Sequence, residues 1–204
     1  MEAAKPPLHT RTDGEHAEKA DMQLVSAVLS KDRKATADFV ALHADGIYAY
    51  VHHRLIPRAD MVEDIVQDVF LSAWENLDRF QGNSSLRSWL LGIAKHKVED
   101  YYRARLREPE PIETDENDSV PLPAAGPDLA ESLDRQSQEN KVRQVLGSLP
   151  EAYSLALLWR YWEKRGTKEI AAKTGKSEKA VERLLARARE QFRRRWNDER
   201  TGSR

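Results

Sequence analysis

The stretch Thr167 to Arg189, TKEIAAKTGKSEKAVERLLARAR, decides how the whole chain is read. Ile170 and Ala171 mark the inner side of a short helix, Gly175 supplies a turn, and Ser177 stands where an N-cap belongs. Val181, Leu184 and Leu185 then recur at the three- and four-residue spacing of a second helix. Two helices joined by a glycine turn predict a helix-turn-helix, whose second helix enters the DNA major groove while the first braces on the backbone. Ser177, Glu178, Lys179, Glu182, Arg183 and Arg187 fall on the outer side, where they can reach bases or phosphates. A three-helix cluster with no DNA role has the same spacing, but the turn glycine and the arginine-rich end favour the nucleic-acid reading. Just upstream, Ser148 and Glu151 form a capping-box signature with Pro150 between them, opening a helix from Glu151 to Trp162.

Charge divides the chain of 204 residues more sharply than its net charge of -1 suggests. Glu108 to Glu139 holds ten acidic residues against Arg135 alone, whereas from Lys141 onward seventeen basic residues face eight acidic ones. A basic block beside an acidic one points to a nucleic-acid surface joined to something that imitates or avoids nucleic acid, with solvated helix faces as the plainer alternative. EPEPIETDENDSVPLPAAGPD, Glu108 to Asp128, is too rich in proline and acid to bury a core and reads as a linker. The mean hydropathy of -0.73 and the absence of a long apolar run exclude a transmembrane helix. With no cysteine there are no disulfides, thiol nucleophiles or cysteine-held zinc.

Upstream of the linker, residues 21–106 read as helices, with apolar positions such as Leu24, Val25, Val28 and Leu29, then Phe39, Val40, Ile47, Tyr48 and Val51. Asp60 opens the clearest of them, with Glu63 three residues on as in a capping box. Val62, Ile65, Val66, Val69, Phe70, Ala73, Trp74 and Leu77 form its predicted buried stripe, and Asp64, Gln67, Asp68 and Glu75 its other face. Carboxylates at 60, 64 and 68 share a side, a pattern that serves solvation, magnesium chelation or docking on a basic helix. DRFQGNSSLRSW, Asp78 to Trp89, breaks at Gly82 and restarts with Ser84 or Ser85 as N-cap. In LLGIAKHKVEDYYRARLR the cations Lys95, Lys97, Arg103, Arg105 and Arg107 interleave with aromatics, which suits an unstacked nucleic-acid strand. Trp89 reads as core.

In this order, the motifs resemble an extracytoplasmic-function (ECF) sigma factor, the smallest kind in the sigma-70 family of bacterial RNA polymerase initiation subunits. DMVEDIVQDVFLSAWENLDRFQGNSSLRSWLLGIAKHKVEDYYRAR, from Asp60, is similar to the family's region 2. LPEAYSLALLWRYWEKRGTKEIAAKTGKSEKAVERLLARARE, from Leu149, is similar to region 4. The resemblance implies an all-α protein of two small helical domains joined by an acidic flexible linker. It divides the chain into a disordered tail (1–20), region 2 (21–107), the linker (108–137), region 4 (138–197) and a short tail (198–204). It also implies that Asp64, Gln67, Asp68 and Glu75 dock on a coiled coil of core RNA polymerase, so docking outranks magnesium. Phe80, Gln81, Asn83 and Ser84 would capture a base flipped from the minus-10 element while Lys95, Lys97, Arg103 and Arg105 hold the strand's phosphates. Ser177, Glu178, Lys179, Arg183 and Arg187 would read the minus-35 duplex, and the linker would thread polymerase channels as a mimic of nucleic acid. Core RNA polymerase, promoter DNA and an anti-sigma factor are the implied partners, with no membrane segment and no cofactor.

Two departures stand out. Glu182 and Leu184 occupy positions where many members carry a basic residue and an arginine, and the linker is long and proline-rich for the subfamily. A magnesium-dependent nucleotide hydrolase built on Asp60, Asp64 and Asp68 lacks a paired carboxylate motif on a second helix, so no enzymatic activity is expected. His52, His53 and His96 are single histidines on helices and are assigned no metal. A stand-alone helix-turn-helix regulator is the alternative; it would bind duplex operator tightly without polymerase. The polar start MEAAKPPLHTRTDGEHAEKA lacks the apolar stretch of a secretory signal, which predicts a cytoplasmic protein.

Overall fold

The computed structural model describes residues 10–108 and 132–201, and all regular structure among them is helical. Most of the expected linker, and the chain before residue 10 and after 201, lie outside the described residues. The helices are α1 (Thr10–Leu29), α2 (Arg33–Arg54), α3 (Val62–Glu75), α4 (Leu86–Arg107), α5 (Ser132–Ser148), α6 (Glu151–Leu157), α7 (Thr167–Thr174) and α8 (Glu178–Thr201). Helix thus begins at Thr10, ten residues before the end of the polar stretch read as a tail.

Packing gathers the chain into two compact units: residues up to 53 with 61–98, and residues 54–60 with 99 onward. In the first, Phe39, Ile47 and Val51 of α2 are buried, as are Val62, Ile65, Val69 and Ala73 of α3 and Leu86, Leu90 and Ala94 of α4. Phe39 meets Phe70 edge-on at 6.0 Å, a geometry that aromatic quadrupoles favour. Asp32 ends the α1–α2 turn, its Oδ1 accepting from the backbone N–H groups of Lys34 at 2.7 Å and Ala35 at 3.0 Å.

In the second unit α8 packs against α5, α6 and α7. Its inner positions Val181, Leu184, Leu185 and Ala188 are buried together with Ile170 of α7 and Leu155 of α6. Leu184 is only 2% exposed, so the departure noted at that position puts a leucine into the core rather than onto a reading surface. The helix-turn-helix takes its expected form. Gly175 closes α7 with φ of 70°, and Ser177 Oγ accepts from the N–H of Ala180 at 3.2 Å to cap α8.

Three local expectations need correction. The helix expected from Asp60 starts at Val62 with no side-chain cap, because the tight turns of Ile56–Met61 precede it and Asp60 is held by Arg58. Ser148 does not cap α6: its hydroxyl donates back to the carbonyl of Val145 at 2.8 Å, and Pro150 opens the helix. The helix expected to run to Trp162 widens after Leu157 into a π turn, Leu158–Trp162, in which Glu163 N–H reaches the carbonyl of Leu158 at 3.0 Å. The wide turn buries Trp159 and turns Tyr161 and Trp162 outward.

Gly175 and Gly147 of this unit give a clean contrast. At Gly175 a Cβ meets nothing within 4 Å, so the penalty of a side chain there is that of the left-handed backbone alone. Gly175→Ala is expected to lower unfolding stability by about 1–2 kcal/mol. Gly147→Ala, in helical backbone with the same open space, should raise it by about 0.5–1 kcal/mol. Urea unfolding followed by circular dichroism distinguishes the two; equal effects would show that the turn does not need its glycine.

Candidate docking face and nucleic-acid surfaces

α3 buries one stripe and exposes the rest. Asp64, Gln67, Asp68 and Glu75 are all exposed, and none makes an ion pair with another described residue. Two large apolar side chains share this outer surface: Leu71 is 54% and Trp74 44% exposed. Trp74, expected in the buried stripe, sits at its edge and is left uncovered; Leu71 was not singled out by periodicity at all. Asp60 does not extend the row. Its carboxylate takes a bidentate pair from Arg58, at 2.8 Å from Nε and 2.7 Å from Nη2, and that hydrogen bonding holds it below the usual carboxylate range. Among the described residues no three His, Asp or Glu side chains gather so as to hold a metal ion.

The loop between α3 and α4 is anchored at both ends. Phe80 is 6% exposed, with its ring edge-on to half-buried Trp89 at 5.6 Å, so it supports the loop from beneath and does not present a face to a base. Gly82 takes φ of 74°, and a Cβ there would lie 3.4 Å from Glu18 Oε1 and from Met22 Sδ. Gln81, Asn83 and Ser84 are exposed at the tip, with the Asn83 amide donating to Gln81 Oε1 at 3.2 Å. α4 then begins under two caps. Ser85 Oγ accepts from the N–H of Ser88 at 3.2 Å, and Asp21 Oδ2, from α1, accepts from the N–H of Leu86 at 2.7 Å. Asp21 is a structural residue that sequence reasoning missed, since nothing in local spacing ties position 21 to position 86.

The cations of α4 divide between the two units. Lys95 is exposed and Lys97 half-buried, and neither is paired with a described residue. Arg103 and Arg105 lie on the part of α4 that belongs to the second unit, and both are engaged. Arg103 pairs with Asp100. Arg105 pairs with Glu108 at 3.1 Å and Glu151 at 3.5 Å, and its guanidinium lies over the Tyr101 ring at 5.7 Å.

On α8, Ser177, Glu178, Lys179, Glu182, Arg183 and Arg187 are all exposed, opposite the buried positions 181, 184, 185 and 188. Three cations and two carboxylates thus share the surface that follows the turn, an arrangement with which a helix can meet bases and flanking phosphates. Tyr161 and Trp162, exposed by 56% and 53%, lie on the π turn, and Tyr161 Oη is 3.4 Å from Arg189 Nη1.

These features agree with what the chain is similar to. Residues 39–108 match the family model for sigma-70 region 2, and residues 139–192 the model for sigma-70 region 4. The ECF RNA polymerase sigma-E factor of Escherichia coli strain K12 is 30% identical over 176 residues, covering 83% of this chain and 91% of that protein. RNA polymerase sigma factor NccH of Alcaligenes xylosoxydans xylosoxydans is 28% identical over 169 residues, covering 83% and 90%. Among solved structures, CnrH in complex with the cytosolic domain of CnrY shares 26% identity over 85% of this chain and 94% of that one, with a TM-score of 0.40. The chain belongs to the sigma-70 family of transcription initiation factors, and within it to the ECF sigma factors. Its relatives are initiation factors rather than enzymes. No described helix is long and apolar enough to cross a membrane.

Two measurements probe the loop anchor. Asp21→Ala should cost about 1 kcal/mol, as loss of a cap does, and should lower amide-exchange protection at residues 86–89 more than in α3. His43, on α2, has a buried Nε2 with no hydrogen-bond partner, and burial foremost pushes its imidazole below the ordinary value of 6.5. The unfolded chain therefore takes up this proton at a higher pH than the folded one. Its contribution to stability is complete above pH 6.5 and is lost as pH falls through the lower folded value. His43→Gln should flatten the dependence of the urea midpoint between about pH 7 and pH 5.

Proposed function

We propose that the chain docks on core RNA polymerase through the outer face of α3 and directs it to promoters by reading the minus-10 and minus-35 elements. The observation that carries this reading is the face itself: Asp64, Gln67, Asp68 and Glu75 unpaired around an exposed Leu71 and Trp74, on the segment that matches region 2. Carboxylates flanking an apolar patch suit a basic helical partner, since the charges steer encounter and the apolar area supplies affinity.

In this reading region 2 covers residues 21–107 and region 4 covers 138–197, with the acidic linker of 108–137 threading polymerase channels between them. Gln81, Asn83 and Ser84 hold a base flipped from the minus-10 element, on a loop whose shape is set by Phe80, Gly82 and the α4 caps. Lys95 and Lys97, joined by Arg103 and Arg105, hold the strand's phosphates. Binding the opened strand more tightly than the duplex shifts the equilibrium toward the melted state, so no nucleotide hydrolysis is needed. α8 enters the minus-35 major groove with Lys179, Arg183 and Arg187. The work is cytoplasmic, where the polymerase is, and an anti-sigma partner completes the set.

In vitro transcription with core polymerase on genomic promoter fragments is the deciding test, and specific starts should depend on the added chain. Tight, specific duplex binding without polymerase and no promoter-dependent start would instead favour a free-standing regulator. Asp64→Arg should weaken core binding at least about tenfold, since a like charge is set against a basic partner. Arg183→Ala should leave core binding intact and reduce the salt slope of duplex binding by about 0.9, the loss of one phosphate contact.

A further inference from the structure

Two carboxylates in the second unit stand in a chemical environment usually reserved for phosphate. Glu151, in the first turn of α6, accepts from the hydroxyl of Tyr101 and faces Arg58 Nη1 at 3.3 Å and Arg105 Nε at 3.5 Å. Glu99, with a side chain only 11% exposed, is paired with Arg165 and with Lys173 Nζ at 3.0 Å. Each anion is thus clasped by two cations, and the two clasps join residues of the region 2 match to residues of the region 4 match within one packed unit. In the same unit Tyr102, 1% exposed, donates its hydroxyl to the carbonyl of Arg54 and lies edge-on to buried Trp159 at 5.5 Å.

The Glu151 clasp has a functional cost. Arg105 is one of the four α4 cations assigned to the minus-10 strand, and its charge is already shared between Glu108, which accepts from Nη1 at 3.1 Å, and Glu151, 3.5 Å from Nε. We propose that Glu151 is an internal stand-in for the promoter phosphate, withholding Arg105 from nucleic acid in the free protein and releasing it when the clasp opens on polymerase. This rests on the proposed role of Arg105 in strand binding and adds its regulation. The environment of the clasp fits. Burial, then the hydrogen bond to Glu151, raises the Tyr101 hydroxyl above its ordinary range, so it stays a donor. Arg105 is raised as well, chiefly through Tyr101 and then Glu151, so it stays a cation available to either anion.

The test uses the full-length protein and a fluorescent, mixed-sequence single-stranded DNA 12-mer. Glu151→Gln should tighten binding of the isolated protein about fivefold at low salt and steepen its salt dependence by about 0.7 per freed arginine. The double variant Glu151→Gln with Arg105→Ala should return to the wild-type value. A gain that survives in the double variant would come from lost negative charge alone and would overturn the proposal, as would no gain in a folded Glu151→Gln protein. Arg105→Ala alone supplies an independent arm: it should weaken strand binding about fivefold in the polymerase-bound state and by a smaller factor in the isolated protein. Equal losses in both states would overturn the clasp while sparing the strand-contact role of Arg105. No loss in the bound state would remove that role and the clasp with it, leaving core docking and minus-35 reading untouched.

Discussion

The inward packing of Val62, Ile65, Val69 and Ala73 is the constraint on which the first unit depends, because a helix that buries one stripe must present the opposite one. Once that stripe is committed to the core, Asp64, Gln67, Asp68, Leu71 and Glu75 turn outward together and are exposed. Water satisfies the exposed acids, but Leu71 and Trp74 among them leave apolar area facing solvent. Such a surface gains more from a basic, partly apolar partner than an ordinary solvated face does.

A second constraint acts on the loop that follows. Backbone N–H groups at the start of a helix need acceptors, and α4 takes two of them from Ser85 and Asp21. Because Asp21 comes from α1, the loop tip is tied to the bundle rather than to its own neighbours. With Phe80 buried below and Gly82 pressed close to Glu18 and Met22, Gln81, Asn83 and Ser84 project from a held base. Side chains held in place before a ligand arrives lose less freedom on binding, which would serve the proposed capture of a flipped base.

In the second unit the governing terms are electrostatic. Glu99 and Glu151 are shielded enough that leaving either without cations would be costly, while the pairs themselves contribute little net stability over a solvated alternative.

Much of this was legible from residues alone, and the rest was lost for identifiable reasons. The helix-turn-helix, the Gly175 turn, the Ser177 and Ser85 caps and the outward acids of α3 are all local, set by backbone conformation and by spacing within a few residues. Trp74 and Phe80 were misplaced because periodicity gives an angle around a helix or a polar loop context, not whether a neighbouring element covers that angle. Asp60 and Glu151 were read as helix-start residues, yet each found a stronger partner: Arg58 two residues away for one, and Tyr101 fifty residues away for the other. The sequence by itself determined that the chain is helical, where the turn of the helix-turn-helix lies and which stripe of α3 is apolar. Only the tertiary structure decided which of the charged side chains remain free, because pairing at a distance depends on where the packed helices bring their ends, and burial sets how much each pair is worth.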